Sequence, residues 1–282
     1  MTHEQVKFLI ENYGQNDQRT DAWHAKRGEM LTASEIYKAL PDATAAQKHE
    51  LMVSKLTPRA KSESFGGRAL IWGTRFEPIA KEIYCKLSSE KMSIVDTTCV
   101  PHPSVSFLGA SPDGIVITED ETSERYGHLV EFKCPISRVF SKDTPIPDSY
   151  YHQMQLQMEC TGLKICEYIE FKFKAMTYSE WMDTQAEYKS LFAVLPDGTV
   201  LYRDMEDKRE VKEWLEEKLQ GHEMWDMVYW VLDMWRMETV NHDPEWLTKN
   251  LPSMESVWKE ILDHREKGTM PEHPKEKTTL TL

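Results

Sequence analysis

The stretch GASPDGIVITEDETSERYGHLVEFKCP, residues 109–135, decides the fold. It reads as strand, polar turn, strand: GIVIT and HLVEFK are β-branched or alternating, and the segment between them is acidic, small and glycine-bearing. Asp113 opens the first strand and Glu131 lies on the second with 17 residues between them, so a closed hairpin can bring both carboxylates to one edge. Alternation puts Glu131 and Lys133 on one face and turns Val130 and Phe132 toward an apolar layer. Two carboxylates and an ammonium in a small volume suit phosphodiester hydrolysis. The acids hold Mg²⁺, which polarises a phosphoryl oxygen and lowers the pKa of bound water, and the lysine orients or deprotonates that water. On spacing alone, an exposed hairpin with charged residues is the alternative.

Glu-x-Lys by itself says little. Six such triplets occur, beginning at Glu131, Glu170, Glu187, Glu206, Glu210 and Glu216, and most must be surface charge. The second EFK, within EYIEFKFK at 167–174, has no upstream partner like Asp113. Tyr168, Glu170 and Lys172 share one face and Ile169, Phe171 and Phe173 the other, which predicts a structural strand with its charges outside.

Further short strands, SIVDTTCV and FLGA, precede the hairpin, and WDMVYWVLDMWRMETV predicts a long strand near the C-terminus. Together these make a central sheet. Helices are expected over parts of 3–40, with Thr20 or Asp21 and then Thr32 or Ser34 as caps, and over AAQKHELMVSKL. A helix running through Phe76, Ile79, Ala80, Ile83 and Leu87 follows, then one over 149–161 and one over PEWLTKNLPSMESVWKEILDHREK, interrupted at Pro252. Residues 177–221 read as a helical insertion with a hairpin at Pro196-Asp197-Gly198, and 268–282 as a disordered tail. The expectation is a single domain over 1–267 of mixed α/β (α+β) class.

Composition narrows the function classes. A 40% apolar share over 282 residues supports a sizeable core, no apolar run is long enough to span a membrane, and MTHEQVKFLI lacks a secretory layout. An intracellular setting follows. Five cysteines without a CxxC pair and ten histidines without HExxH spacing argue against a disulfide framework or a zinc cage. The net charge of −13 opposes nucleic-acid binding at first sight. The charge is segregated, however: Lys48, Lys55, Arg59, Lys61, Arg68 and Arg75 face three acids between 48 and 77, whereas 204–226 holds nine acids against four bases. A basic groove and a solvated basic face both fit that pattern.

GASPDG followed by VEFKCP resembles the PD-(D/E)xK nucleases, specifically the phage lambda exonuclease and YqaJ viral recombinase group. DAWHAKRGEMLTASEI at 21–36 is similar to that family's opening signature, WGTRFEP at 72–78 to its WG-then-Glu segment, and SYYHQMQLQM at 149–158 to its Y-x-x-Q-x-Q helix. The resemblance runs from about Asp21 to Gly162. It implies a restriction-endonuclease-like core whose mixed sheet is flanked by helices. It makes Asp113, Glu131 and the main-chain carbonyl of Phe132 the metal ligands, Lys133 the catalytic lysine, and Glu77 and Gln153 further catalytic residues. Gln155 and Gln157 are read as surface or supporting residues. Arg27 and Ser34 match positions that receive a terminal 5′-phosphate, Ser111 beside the metal ligand is expected as a further phosphate contact, and Leu70 is placed as a strand wedge.

Two features bear on that carry-over. Pro78 biases Glu77 away from mid-helix geometry. Pro103 stands where the lambda-type enzyme has a further acid, which leaves His102 as a substitute ligand or a loop residue. The implied activity is Mg²⁺-dependent 5′-to-3′ digestion of one strand of linear double-stranded DNA, with Mn²⁺ as a substitute. It leaves a 3′ single strand for recombination or repair. The implied partners are DNA ends, further copies of the chain in a trimer, and a single-strand annealing protein. The rival readings are a structure-specific endonuclease of the same superfamily and a non-catalytic DNA-end-binding protein.

Overall fold

The computed structural model describes residues 2–15, 18–57 and 67–274. Helices α1 (Thr2–Tyr13) and α2 (Asp21–Gly28), a two-residue strand β1 (Leu31–Thr32), a 3₁₀ helix over Ala33–Ala39 and α3 (Ala45–Leu56) precede the long α4 (Arg68–Leu87). Strands β2 (Met92–Val95), β3 (Val100–Pro101), β4 (Leu108–Ala110), β5 (Gly114–Thr118) and β6 (Leu129–Lys133) lead to α5 (Asp148–Thr161) and β7 (Ile165–Met176). Then come α6 (Tyr178–Asp183), β8 (Lys189–Val194), β9 (Val200–Tyr202), α7 (Val211–Leu219), β10 (Asp226–Asn241) and α8 (Trp246–Lys267). The mixed α/β class is as the sequence implies. Of the two capping choices for α2, the structure takes Thr20, whose hydroxyl accepts from Trp23 N–H at 3.2 Å.

Seven strands form the main sheet in the order β2-β5-β6-β7-β10-β8-β9, and β1-β4-β3 form a small second one. In the main sheet β6 and β7 run parallel, while every other neighbouring pair is antiparallel. A parallel pair cannot be joined by a tight turn, so the chain crosses over through a helix. That helix is α5, and its position over the sheet puts it above the Glu131 face of β6.

Apolar layers fill both faces. Phe76, Ile79, Ala80 and Ile83 of α4 pack on Val116, Val130, Phe132, Ile169 and Phe171. On the opposite face Met154, Leu156 and Met158 of α5 join Leu129, Tyr168 and α8 residues such as Trp258 and Ile261. The alternation read from VEFK and EYIEFKFK is therefore the alternation of these layers.

Four expectations change. Residues 177–221 are not mainly helical: β8 pairs with β10 and β9 with β8, so a hairpin turning at Gly198 (φ 90°) extends the sheet, with short α6 and α7 beside it. Glu170 is not outside. It is fully buried, with Arg138 Nη1 at 2.6 Å and Arg236 Nε at 2.7 Å, because distant segments supply the cations that make its burial tolerable. Pro252 lies inside α8 rather than interrupting it, and Pro78 lies inside α4 with Glu77 helical before it, against the expected bias away from mid-helix geometry. A mid-helix proline costs about 3 kcal/mol, whereas burying each large apolar side chain returns roughly 1.5–3 kcal/mol, and α4 buries Phe76, Ile79, Ile83 and Tyr84 around its proline. Finally, 268–274 are placed beyond Gly268, with His49 and His273 rings 4.9 Å apart, while 275–282 lie outside the described residues.

Candidate active site at the β5–β6 edge

The β5–β6 ladder holds two register pairs, Gly114↔Val130 and Ile115↔Leu129. One step further the strands part, and the Asp113 carboxylate replaces the missing backbone partner: Phe132 N–H donates to its Oδ2 at 2.7 Å. Gly114 allows this, since a Cβ there would lie 2.2 Å from Ile94 Cγ2 of β2. Asp113 thus reaches the strand that carries Glu131, as the hairpin predicts.

Glu131 is almost fully buried and clamped from above by α5. Gln153 Nε2 donates to its Oε1 at 2.7 Å and Gln157 Nε2 to its Oε2 at 2.6 Å. Residues four apart on a helix face the same way, so one turn of α5 holds both oxygens. Lys133 Nζ donates to Oε1 at 2.5 Å and stands 4.4 Å from the centre of the Tyr150 ring. Burial lowers the Lys133 pKa, but the Glu131 and Asp113 carboxylates outweigh it and hold the ammonium well above its ordinary value. Of the two roles expected for Gln157, surface or supporting, the structure takes the second, since the side chain is fully buried on the carboxylate. The i, i+4 spacing with Gln153 is the signal that could have placed it. Gln155, also fully buried, instead ties α5 to the end of β10 through Asn241 O and Asp243 N.

Glu77 enters from mid-α4, not from a helix start. Arg19 Nη2 lies 2.5 Å from its Oε2, and Lys81 Nζ lies 3.1 Å from its Oε1. Burial raises its pKa, but Lys81 and Arg19 bring it below the usual carboxylate range. Asp113 is the opposite case: burial and then the Glu131 and Glu77 charges push its carboxyl well above normal. A hard oxygen set short of positive charge fits a divalent cation, with Asp113, Glu131 and the Phe132 carbonyl as the donors that would hold it. Among the described residues no group of three or more His, Cys, Asp or Glu forms a ready metal cluster, so Glu77 does not complete one.

The three residues expected at a 5′-phosphate do meet. Arg27 Nη2 donates to Ser34 Oγ at 2.9 Å and Thr32 Oγ1 at 3.0 Å, and its Nη1 donates to Ser111 Oγ at 3.3 Å. Trp23 orders the group, since its Nε1–H donates to Ser111 Oγ at 3.1 Å and its ring lies 4.3 Å from the Arg27 guanidinium carbon. Ser111 stands two residues before Asp113, so the Arg27 cluster and the acid pair share one turn of chain. Leu70 is 65% exposed in the first turn of α4, as a wedge would need. Of the basic stretch between 48 and 77, Arg59 and Lys61 lie outside the described residues. His102 proves to be a loop residue. Its Nδ1 accepts from Ser104 and Val105 N–H at 3.2 and 3.0 Å, which leaves the proton on Nε2 and no lone pair there for a metal.

The structure is similar to solved nuclease folds. The alkaline exonuclease LHK-Exo from Laribacter hongkongensis matches with 21% identity, covering 88% of this chain and 95% of that one, at a TM-score of 0.54. The same protein in complex with dAMP matches at 18% identity with the same coverage and a TM-score of 0.52. A phage related exonuclease from Haemophilus somnus 129PT matches at 12% identity, covering 85% and 96%, with a TM-score of 0.46. No curated protein matches the sequence. The family model for the YqaJ-like viral recombinase domain matches residues 22–164, a span that contains Arg27, Ser34, Glu77, the Asp113–Glu131–Lys133 group and both clamping glutamines. On that match over half of its length, the chain belongs to the YqaJ-like viral recombinase domain family.

Proposed function

We propose that the chain is a divalent-metal-dependent deoxyribonuclease that digests one strand of linear double-stranded DNA from its 5′ end and leaves the 3′ strand single for recombination or repair. The observation that carries this reading is the shared turn: Ser111, held by Arg27, and Asp113, beside Glu131 and Lys133, lie two residues apart. A terminal phosphate in the first pocket positions the adjoining ester at the second. Arg27, with the Ser34 and Ser111 hydroxyls, binds the anion through charge-assisted hydrogen bonds. Mg²⁺, or Mn²⁺ in its place, supplies Lewis-acid polarisation of the phosphoryl oxygen and a more acidic water. Lys133, on Glu131 and beside Asp113, orients or deprotonates that water and offsets charge on the phosphoryl oxygens. Gln153 and Gln157 fix the Glu131 oxygens. Leu70, exposed in the first turn of α4, serves as the strand wedge.

The similar alkaline exonuclease LHK-Exo, solved also in complex with dAMP, supports the same substrate class. Assembly as a homo-oligomer, a trimer on the family pattern, helps an acidic chain stay on DNA, and an annealing protein that takes up the 3′ strand completes the proposal. Intracellular action follows from the DNA substrate, and no helix among the described residues is long and apolar enough to cross a membrane. The test is linear duplex with a labelled 5′-phosphate, incubated with and without Mg²⁺. Label is expected as free mononucleotide with the wild type and Mg²⁺ only, and not with Asp113→Ala. Label on oligonucleotides longer than one residue would point to the endonuclease reading, and binding without cleavage to an end-binding protein.

A further inference from the structure

Resting on the nuclease reading, we propose that Arg19 stands in for a divalent cation at Glu77, so that the chain loads one metal ion, at Asp113 and Glu131, and none at Glu77. Arg19 has φ 72°, in the left-handed region where a side chain crowds its own backbone and glycine is at ease. Such a conformation persists where the surroundings over-determine it, and it concentrates at working sites. Here both neighbours are anchored. Gln18 Nε2 donates to Thr97 O at 2.7 Å and to Pro112 O at 3.1 Å, and the Thr20 hydroxyl caps the helix that bears Arg27. The turn is therefore tied to the residue before Asp113 on one side and to the phosphate pocket on the other.

From that turn the half-exposed Arg19 side chain reaches Glu77 Oε2 at 2.5 Å, while Lys81 Nζ takes Oε1 at 3.1 Å and is held by Asp96 at 2.6 Å. Each Glu77 oxygen thus has its own cation. Arg19, Glu77, Lys81 and Asp96 are neutral together, whereas Asp113, Glu131 and Lys133 keep a net negative charge. A dication is drawn to the second group and meets a fixed guanidinium at the first. Glu131 and Asp113 share one cation, Lys133 on Glu131 Oε1, and neither amide that clamps Glu131 carries a charge, whereas Glu77 alone has two.

The experiment counts Mn²⁺ bound to the metal-free full-length chain by equilibrium dialysis up to millimolar free ion, a readout independent of cleavage. Wild type is expected to hold one ion. Arg19→Gly removes the guanidinium and suits the left-handed backbone, so it is expected to fold and to hold two. Adding Glu77→Gln to that variant is expected to return the count to one, which locates the new ion. Two ions on wild type, one on Arg19→Gly, or two on the double variant each overturn the inference while leaving the nuclease reading intact. No ion on wild type takes down the metal-dependent reading and this inference together.

Discussion

Gln157→Leu isolates the contact between α5 and the buried carboxylate. The side chains are similar in volume, so what is lost is the Nε2 donor 2.6 Å from Glu131 Oε2. Both groups are almost fully buried, so water cannot take the donor's place. A hydrogen bond to a charged group is worth about 1.5–3 kcal/mol, and the variant is expected to lose about that much stability. With Glu131→Gln as the background the acceptor is neutral, and the same substitution should cost only about 0.5–1.5 kcal/mol. The difference between the two costs is the coupling assigned to the charge. Urea denaturation without divalent ions, followed by the fluorescence of the nine tryptophans, measures all four proteins. A single-variant cost within about 0.5 kcal/mol of zero, or equal costs in both backgrounds, would refute the claim that Gln157 stabilises a buried carboxylate. Release of labelled mononucleotide by Gln157→Leu should fall by about 10–100-fold, the range seen when groups that orient metal-binding side chains are removed.

Two further outcomes follow from other parts of the fold. Burial raises the Glu167 carboxyl, but hydrogen bonds from His128, Arg125 and Tyr84 outweigh it and hold the pKa at about 2. A depressed pKa stabilises the fold above the unfolded value and loses that contribution as pH falls from about 4.5 through about 2. Glu167→Gln should therefore cost on the order of 2–3 kcal/mol at pH 7 and much less near pH 2, and an equal cost at both in denaturant titrations would show that ionisation is not the cause. Leu70→Ala, at an exposed position, should leave stability within about 0.5 kcal/mol yet slow digestion of duplex more than of single strands. Equal slowing on both substrates removes the wedge role.

The sequence by itself determined the parts of this protein that depend on periodicity and local spacing. Alternation in VEFK and EYIEFKFK sorted the two faces of β6 and β7 correctly, because a strand's side chains point to opposite sides whatever packs on them. The hairpin between Asp113 and Glu131 fixed their approach, and the glycine turn at 196–198 was legible for the same local reason. Only the tertiary structure decided which charged and polar residues are interior. Glu170 looks like a surface acid in sequence, and it is buried because Arg138 and Arg236 arrive from elsewhere in the chain. Gln157 became a clamp because the β6–β7 crossover lays α5 on the carboxylate, and Glu77 stayed helical before a proline because apolar burial around it exceeds the local penalty. Strand β8 escaped notice because its partner β10 follows it by 30 residues or more and no local signal names it. Spacing along a chain states what can approach. Whether a charge stays in water depends on partners that only the fold brings together.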